Sequence, residues 1–139
     1  MNIIIHFFFD NNLNNNWNII PKDISKKNFV GLKNLGCTCY LNTLIQILYN
    51  IIPLRESILK CDCKKEVKNV LFQIKKIFYY LKYYNIEFIA PIDFVQNFDN
   101  EQLNVNVQMD IDEFFNLLLD KIENHLKGTD NENLIKYFF

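Results

Sequence analysis

A loop with two glycines leads directly into a strongly amphipathic helical segment in residues 31–48. The glycines are Gly31 and Gly36, and the helix is predicted from about Cys39 to Asn50. Apolar residues recur there at the spacing of one helical face: Leu41, Leu44, Ile45 and Leu48. Cys39 therefore lies in the first turn, where unpaired backbone N–H groups and the helix dipole favour an ionised thiol. Since the thiolate is the form that attacks, Cys39 is a candidate nucleophile; the alternative is a buried, inert thiol.

Three further segments show helical periodicity, which predicts a mainly α-helical chain. They are about Lys65–Tyr84, a short helix from about Pro91 that buries Phe94 and Phe98, and about Gln108–Lys127. In the last segment the predicted inward residues are Ile111, Phe114, Phe115, Leu118, Ile122 and Leu126. Pro53 is expected to end the first helix, and Gly128 the last.

The composition argues against several classes of protein. With 139 residues the chain can form one modest domain, and its 15 basic and 16 acidic side chains include no basic block of the kind that binds nucleic acid. No apolar run approaches the roughly 18 residues that suggest a membrane span. Residues 1–28 are rich in asparagine and are interpreted as a poorly ordered extension. They lack the features of a signal peptide, which favours a reducing intracellular compartment, the cytoplasm or the nucleus.

The four cysteines form two Cys-x-Cys pairs, Cys37 with Cys39 and Cys61 with Cys63. Four thiols can bind zinc, but structural zinc sites place about two to four residues between the members of each pair. The sequence therefore predicts no metal site and no cofactor. Cys61 and Cys63 have lysines nearby and are interpreted as part of a surface loop.

Cysteine hydrolysis also needs donors for the oxyanion and a general base. The backbone N–H of Cys39 and the side-chain amide of Asn34 can serve as donors, whereas Asn42 is expected to tether the loop or face solvent. The two histidines are His6 and His125. Neither lies in a sequence that suggests a catalytic base, so no catalytic role is assigned to either.

Residues 31–48 resemble the cysteine box of the ubiquitin-specific proteases, G-L-x-N-x-G-x-T-C-Y-x-N-S/T-x-L/I-Q-x-L. The matching residues are Gly31, Leu32, Asn34, Gly36, Thr38, Cys39, Tyr40, Asn42, Thr43, Ile45, Gln46 and Leu48. The resemblance extends from about Phe29 to Lys127 and is similar at its start to the large members of the fat-facets type. It implies that Cys39 is the nucleophile and Asn34 the oxyanion-hole asparagine. Cys37 stands where the family usually has Asn or Ala and is interpreted as a small packing residue.

The segment Gln108–Phe115 resembles the family's glutamine box, Q-Q-D-x-x-E-F, with Met109 in place of the second glutamine. Asp110 and Glu113 share one helical face, which alone would be read as an ordinary solvated surface. The resemblance implies that this helix borders the channel for the C-terminal tail of ubiquitin, where carboxylates can pair with arginines. Asp110, then Glu113, then Gln108 are the predicted substrate-binding residues.

The resemblance also implies an α+β papain-like cysteine protease fold for the parent domain, of which this chain would be the mainly α-helical thumb. Residues 29–139 would be the N-terminal part of the catalytic domain, incomplete at its C-terminus. The implied function is a deubiquitinating thiol hydrolase that cleaves (iso)peptide bonds at the C-terminal glycine of ubiquitin, with ubiquitin and ubiquitinated proteins as partners. Because the catalytic histidine and its Asp or Asn partner are missing, the chain is expected to be inactive alone. The alternative is a truncated or vestigial homologue that binds ubiquitin without cleaving it.

Overall fold

Six helices and two short strands make up the part of the chain that the computed structural model describes, which comprises residues 29–63, 66, 68–84, 86–98 and 102–139. In chain order the elements are β1 (Gly31–Leu32), α1 (Cys39–Asn50), α2 (Ile52–Lys60), α3 (Val70–Tyr83), β2 (Phe88–Ile89), α4 (Ile92–Gln96), α5 (Ile111–Leu126) and α6 (Leu134–Phe138). The predicted extension at residues 1–28, including His6, lies outside the described residues.

Helix α1 has the predicted bounds and buries its predicted stripe against the core. The next helix was not predicted. Pro53 was expected only as a stop, but it lies in the first turn of α2. Proline is accommodated there because the N–H that it lacks would have no partner inside the helix. The single residue Ile51 therefore separates the two helices.

Helix α3 begins later than predicted, at Val70 instead of near Lys65. Asn69 caps it, because the side-chain oxygen of Asn69 accepts a hydrogen bond of 3.0 Å from the backbone N–H of Phe72. An asparagine in front of an apolar run is a recognised signal for a helix start. The Asn69 cap therefore marks the start of α3 at Val70, which apolar periodicity alone placed too early.

The two helices predicted near Pro91 and from about Gln108 are present as α4 and α5, and α5 begins later than predicted, at Ile111. Phe94 and Phe98 are buried as expected. On α5 the buried residues are Phe114, Leu118, Ile122 and Leu126, whereas Ile111 is 40% exposed and does not face inward. Helix α5 ends before Gly128, whose φ of +74° is the left-handed conformation typical of a residue after a helix.

The two strands pair in parallel, with Gly31 opposite Phe88 and Leu32 opposite Ile89. The N–H of Gly31 donates to the carbonyl of Glu87 at 2.9 Å. A parallel pair requires a long crossover, and here α1, α2 and α3 form it. The pairing fixes the start of the glycine loop to a strand more than fifty residues away.

Cys61 corrects the interpretation of the second cysteine pair as a surface loop. It is 0% exposed and belongs to the hydrophobic core, and burial raises the pKa of its thiol. The ammonium of Lys75 donates to its carbonyl. Cys63 is half-buried, and Asp62 between the two cysteines is exposed.

Candidate active site

Cys39 is the first residue of α1, and its side chain is exposed. Thr38 occupies the N-cap position but makes no side-chain capping hydrogen bond. The backbone N–H of Cys39 is the first of α1 and has no side-chain acceptor among the described residues. The next residue, Tyr40, is buried, and burial together with the neighbouring Cys39 raises the pKa of its phenol. An accessible sulfur therefore lies beside a free backbone donor at the positive end of a helix.

The amide of Asn34 is held by Thr38. The side-chain oxygen Oδ1 of Asn34 accepts from the hydroxyl of Thr38 at 2.8 Å and from its backbone N–H at 3.2 Å. Since Oδ1 is occupied, the amide nitrogen Nδ2 is the remaining polar atom, and it donates to no other described residue. Asn34 is exposed, so its Nδ2 can donate to a ligand.

Two side chains of α1 tether the first part of the glycine loop and the residue before it. The amide of Asn42 donates to the carbonyls of Leu32 at 3.3 Å and Lys33 at 3.2 Å. The amide of Gln46 donates to the carbonyl of Val30 at 3.1 Å. Of the two roles expected for Asn42, tethering the loop or facing solvent, the structure shows the first. These bonds couple the positions of Asn34 and Cys39, since both belong to the tethered unit.

The loop before α5 closes on the glycine loop from the other side. The carbonyl of Val105 accepts from the N–H of Cys37 at 2.6 Å. Gly36 has a φ of +128°, and a Cβ added there would lie 2.4 Å from the same carbonyl oxygen. Only glycine fits this close approach. The side chain of Cys37 is exposed, so its interpretation as a packing residue was wrong; its N–H makes the contact.

A ring contact joins the two motifs. Tyr40, next to Cys39, meets Phe114 edge-to-face, with ring centroids 5.0 Å apart and an angle of 80° between planes. Phe114 lies in the first turn of α5 and also contacts Phe98 at 5.7 Å. The start of α5, which carries the predicted substrate-binding residues, therefore adjoins the start of α1.

Asp110 has a structural role that the sequence analysis missed. Its Oδ1 accepts from the N–H groups of Asp112 at 2.8 Å and Glu113 at 3.2 Å, so Asp110 is the N-cap of α5. The signal was present, since an aspartate preceded a periodic apolar run. Asp110, Glu113 and Gln108 are all exposed, and no described cation forms a salt bridge with them. Together with Asp112 they form an acidic surface at the start of α5.

The structure does not place His125 beside Cys39. His125 lies in the last turn of α5, eleven residues after Phe114. At 1.5 Å per residue this is about 16 Å along the helix from the contact with Tyr40. Among the described residues, no group of three or more His, Cys, Asp or Glu side chains is arranged to hold a metal ion. None of the described helices is both long and apolar enough to cross a membrane.

Comparison with known proteins agrees with the predicted resemblance. Residues 30–139 match the family model described as ubiquitin carboxyl-terminal hydrolase. The chain is 34% identical over 119 residues to ubiquitin carboxyl-terminal hydrolase 24 of Mus musculus, covering 83% of this chain and 4% of that protein. It is 35% identical over 119 residues to ubiquitin carboxyl-terminal hydrolase 7 of Drosophila melanogaster, covering 83% of this chain and 10% of that protein. The chain thus spans a tenth or less of the length of these relatives. Since the family model covers most of the chain, the chain belongs to the ubiquitin carboxyl-terminal hydrolase family.

Proposed function

We propose that this chain carries the nucleophile half of a deubiquitinating thiol hydrolase, which cleaves (iso)peptide bonds at the C-terminal glycine of ubiquitin. The proposal rests on two features found together at the start of α1. Cys39 is exposed, and the oxygen of the Asn34 amide is already bound by Thr38, the residue before Cys39. A nucleophile and a fixed donor are two of the parts that acyl transfer requires. The names of the relatives support ubiquitin as the substrate.

In the proposed reaction, the thiol of Cys39 gives its proton to the general base, which becomes the general acid, and the sulfur attacks the carbonyl carbon of the terminal glycine. A C–S bond forms, and the π electrons of the carbonyl move onto its oxygen. The Nδ2 of Asn34 and the backbone N–H of Cys39 donate to this oxyanion. Collapse of the intermediate breaks the C–N bond, and the leaving lysine amine takes a proton from the general acid. Water then hydrolyses the thioester.

The general base is proposed to come from a histidine outside this chain. His125 is separated from the Tyr40–Phe114 contact by most of the length of α5, so it cannot share a hydrogen bond with Cys39 without rearrangement. A parent domain with a papain-like fold would supply the histidine and its orienting Asp or Asn from other segments.

The acidic surface at the start of α5 is proposed to receive the basic tail of ubiquitin. Asp110 and Glu113 are exposed, and they lie close to the contact that joins the two motifs. Carboxylates at such a position can form charge-assisted pairs with arginines that precede the reacting glycine. Gln108 is exposed beside them and is the third proposed contact.

Substitution of Cys39 tests the proposal. In the full-length protein, Cys39→Ala is expected to abolish hydrolysis of a fluorogenic ubiquitin amide, because the attacking atom is gone. Cys37→Ala is the matched control: the residue is also exposed and only two positions away, and its contact with Val105 uses the backbone. Asn34→Ala is expected to lower kcat by roughly 10²–10³-fold. Full activity of Cys39→Ala would end the assignment.

The second candidate is a homologue that binds ubiquitin without cleaving it. Met109 favours this reading, since it replaces a glutamine of the family motif with a side chain that packs against the core. The two candidates differ in a direct measurement. A full-length protein that binds ubiquitin with micromolar or better affinity, yet shows no turnover with or without Cys39, would support the binding function.

A further inference from the structure

We propose that Thr38 is a positioning residue that fixes which end of the Asn34 amide faces the reacting carbonyl. This inference rests on the proposed function, since it assigns Thr38 a role through the oxyanion donor. Thr38 is 0% exposed, which is unusual for a polar residue that lies between two exposed cysteines. Its hydroxyl is therefore committed to partners inside the protein.

The hydrogen bonds around Thr38 show which of its atoms accept and which donate. The backbone N–H of Leu35 donates to the Thr38 hydroxyl oxygen at 3.0 Å. The hydroxyl proton is then free to point at Oδ1 of Asn34, which lies 2.8 Å away. The backbone N–H of Thr38 donates to the same Oδ1 at 3.2 Å.

Two donors that converge on one atom define that atom as the amide oxygen. If the Asn34 amide were flipped, its NH₂ group would face the hydroxyl proton and the backbone N–H of Thr38. The backbone N–H of Thr38 would then face another donor and lose its bond, and the hydroxyl would have to rotate so that its oxygen accepts from the NH₂ group. Thr38 thus favours the state in which Oδ1 faces it and Nδ2 is available to donate.

The usual role of threonine at this position does not account for these contacts. An N-cap threonine normally accepts from a backbone N–H in the first turn of its helix. Thr38 makes no such capping bond to α1. Its side chain reaches back to Leu35 and Asn34 instead. The arrangement leaves the start of α1 without a side-chain cap and sets the direction of the Asn34 amide.

A pair of substitutions tests the role of the hydroxyl in the full-length protein. Thr38→Val keeps the shape of the side chain but removes the hydroxyl, and we expect kcat for the fluorogenic ubiquitin amide to fall roughly 10–100-fold with little change in KM. Thr38→Ser keeps the hydroxyl and is expected to retain kcat within about threefold. If Thr38→Val fails to fold by thermal unfolding, Thr38→Ala carries the same test without burying an additional methyl group.

Combination with Asn34→Ala shows whether Thr38 acts through Asn34. If it does, Thr38→Val should lower kcat no further in the Asn34→Ala background. Equal losses in both backgrounds, or wild-type kcat in Thr38→Val, would overturn the inference while leaving the proposed function intact. Wild-type kcat in Asn34→Ala would instead remove the proposed oxyanion donor itself. Asn34→Asp provides an independent check, since it can keep both bonds from Thr38 but lacks the amide donor, and it should be stable and slow.

Discussion

Thr38 and Asp110 both stand immediately before a helix, yet their side chains act in opposite directions. Asp110 accepts from the first-turn N–H groups of α5 and so satisfies them. The side chain of Thr38 instead bonds to Leu35 and Asn34 and caps no N–H group of α1. A capped helix start is stable, and an uncapped one can bind an anion. The residue before each helix therefore determines whether the first N–H groups are capped, which stabilises the helix, or remain able to bind an anion.

Asp110 combines a structural role with a proposed substrate contact, and two substitutions separate them. Asp110→Asn keeps an oxygen that can cap α5, whereas Asp110→Ala removes it and is expected to cost about 1 kcal/mol of unfolding free energy. Both remove the charge, so both are expected to weaken ubiquitin binding. Urea unfolding and ubiquitin titration measure the two effects. Wild-type binding by a stable Asp110→Asn variant would show that Asp110 serves only as a cap.

At the scale of elements, the candidate site depends on loops more than on helices. The glycine loop is contacted by the β2 segment, by α1 and by the loop before α5, and each makes hydrogen bonds with it. Parallel pairing with β2 holds one end, and Val105 holds the other. The helices supply the core that keeps these boundaries in place. The positions of Asn34 and Cys39 are therefore set by three separate segments.

Gly36 is the position where this loop tolerates no side chain. Gly36→Ala is expected to destabilise the protein by roughly 2–5 kcal/mol, because it adds backbone strain to a Cβ contact with the Val105 carbonyl. Gly128→Ala is the matched control, since Gly128 also has a positive φ but a Cβ there would meet nothing within 4 Å. Its expected cost is about 1–2 kcal/mol, from strain alone. Equal losses in urea unfolding would show that the contact with Val105 does not matter.

Local sequence signals predicted the elements better than they predicted the contacts. The bounds of α1 followed from apolar spacing, and Asn42 was expected to tether the loop. Helix α2 was missed because Pro53 is compatible both with the end of one helix and with the first turn of another. The burial of Cys61 and the close approach of Gly36 to Val105 were not predicted, since each depends on residues distant in sequence. The direction of the Asn34 amide likewise required its contact with Thr38.

At the scale of the whole molecule, residues from opposite ends of the described chain meet at the Tyr40–Phe114 contact. Helix α3 contributes many of the other buried residues of the core, including Phe78 and Tyr80. The same packing that joins the starts of α1 and α5 directs the other end of α5 away. His125 is carried at that far end. The fold therefore brings the acidic surface close to Cys39, the proposed nucleophile, and keeps His125 apart from it.

This separation predicts that His125 is dispensable for turnover. His125→Gln in the full-length protein is expected to keep kcat for the fluorogenic ubiquitin amide within about twofold. The reason is that no proton can pass directly between the side chains of His125 and Cys39. The 139-residue polypeptide by itself is expected to show no hydrolysis above background. A loss of activity in a His125→Gln variant that unfolds like the wild type would identify His125 as a functional residue and contradict the proposed external base.

Gly36 and Cys39 also differ in what inheritance would preserve. Gly36 is required by the backbone, so a lineage that abandoned catalysis would still retain it or lose the fold. Cys39 is exposed and takes no part in the core, so random substitution could remove it at little cost to stability. Among descendants of one ancestor, a retained glycine would thus indicate common ancestry, and a retained cysteine would indicate continued selection for catalysis.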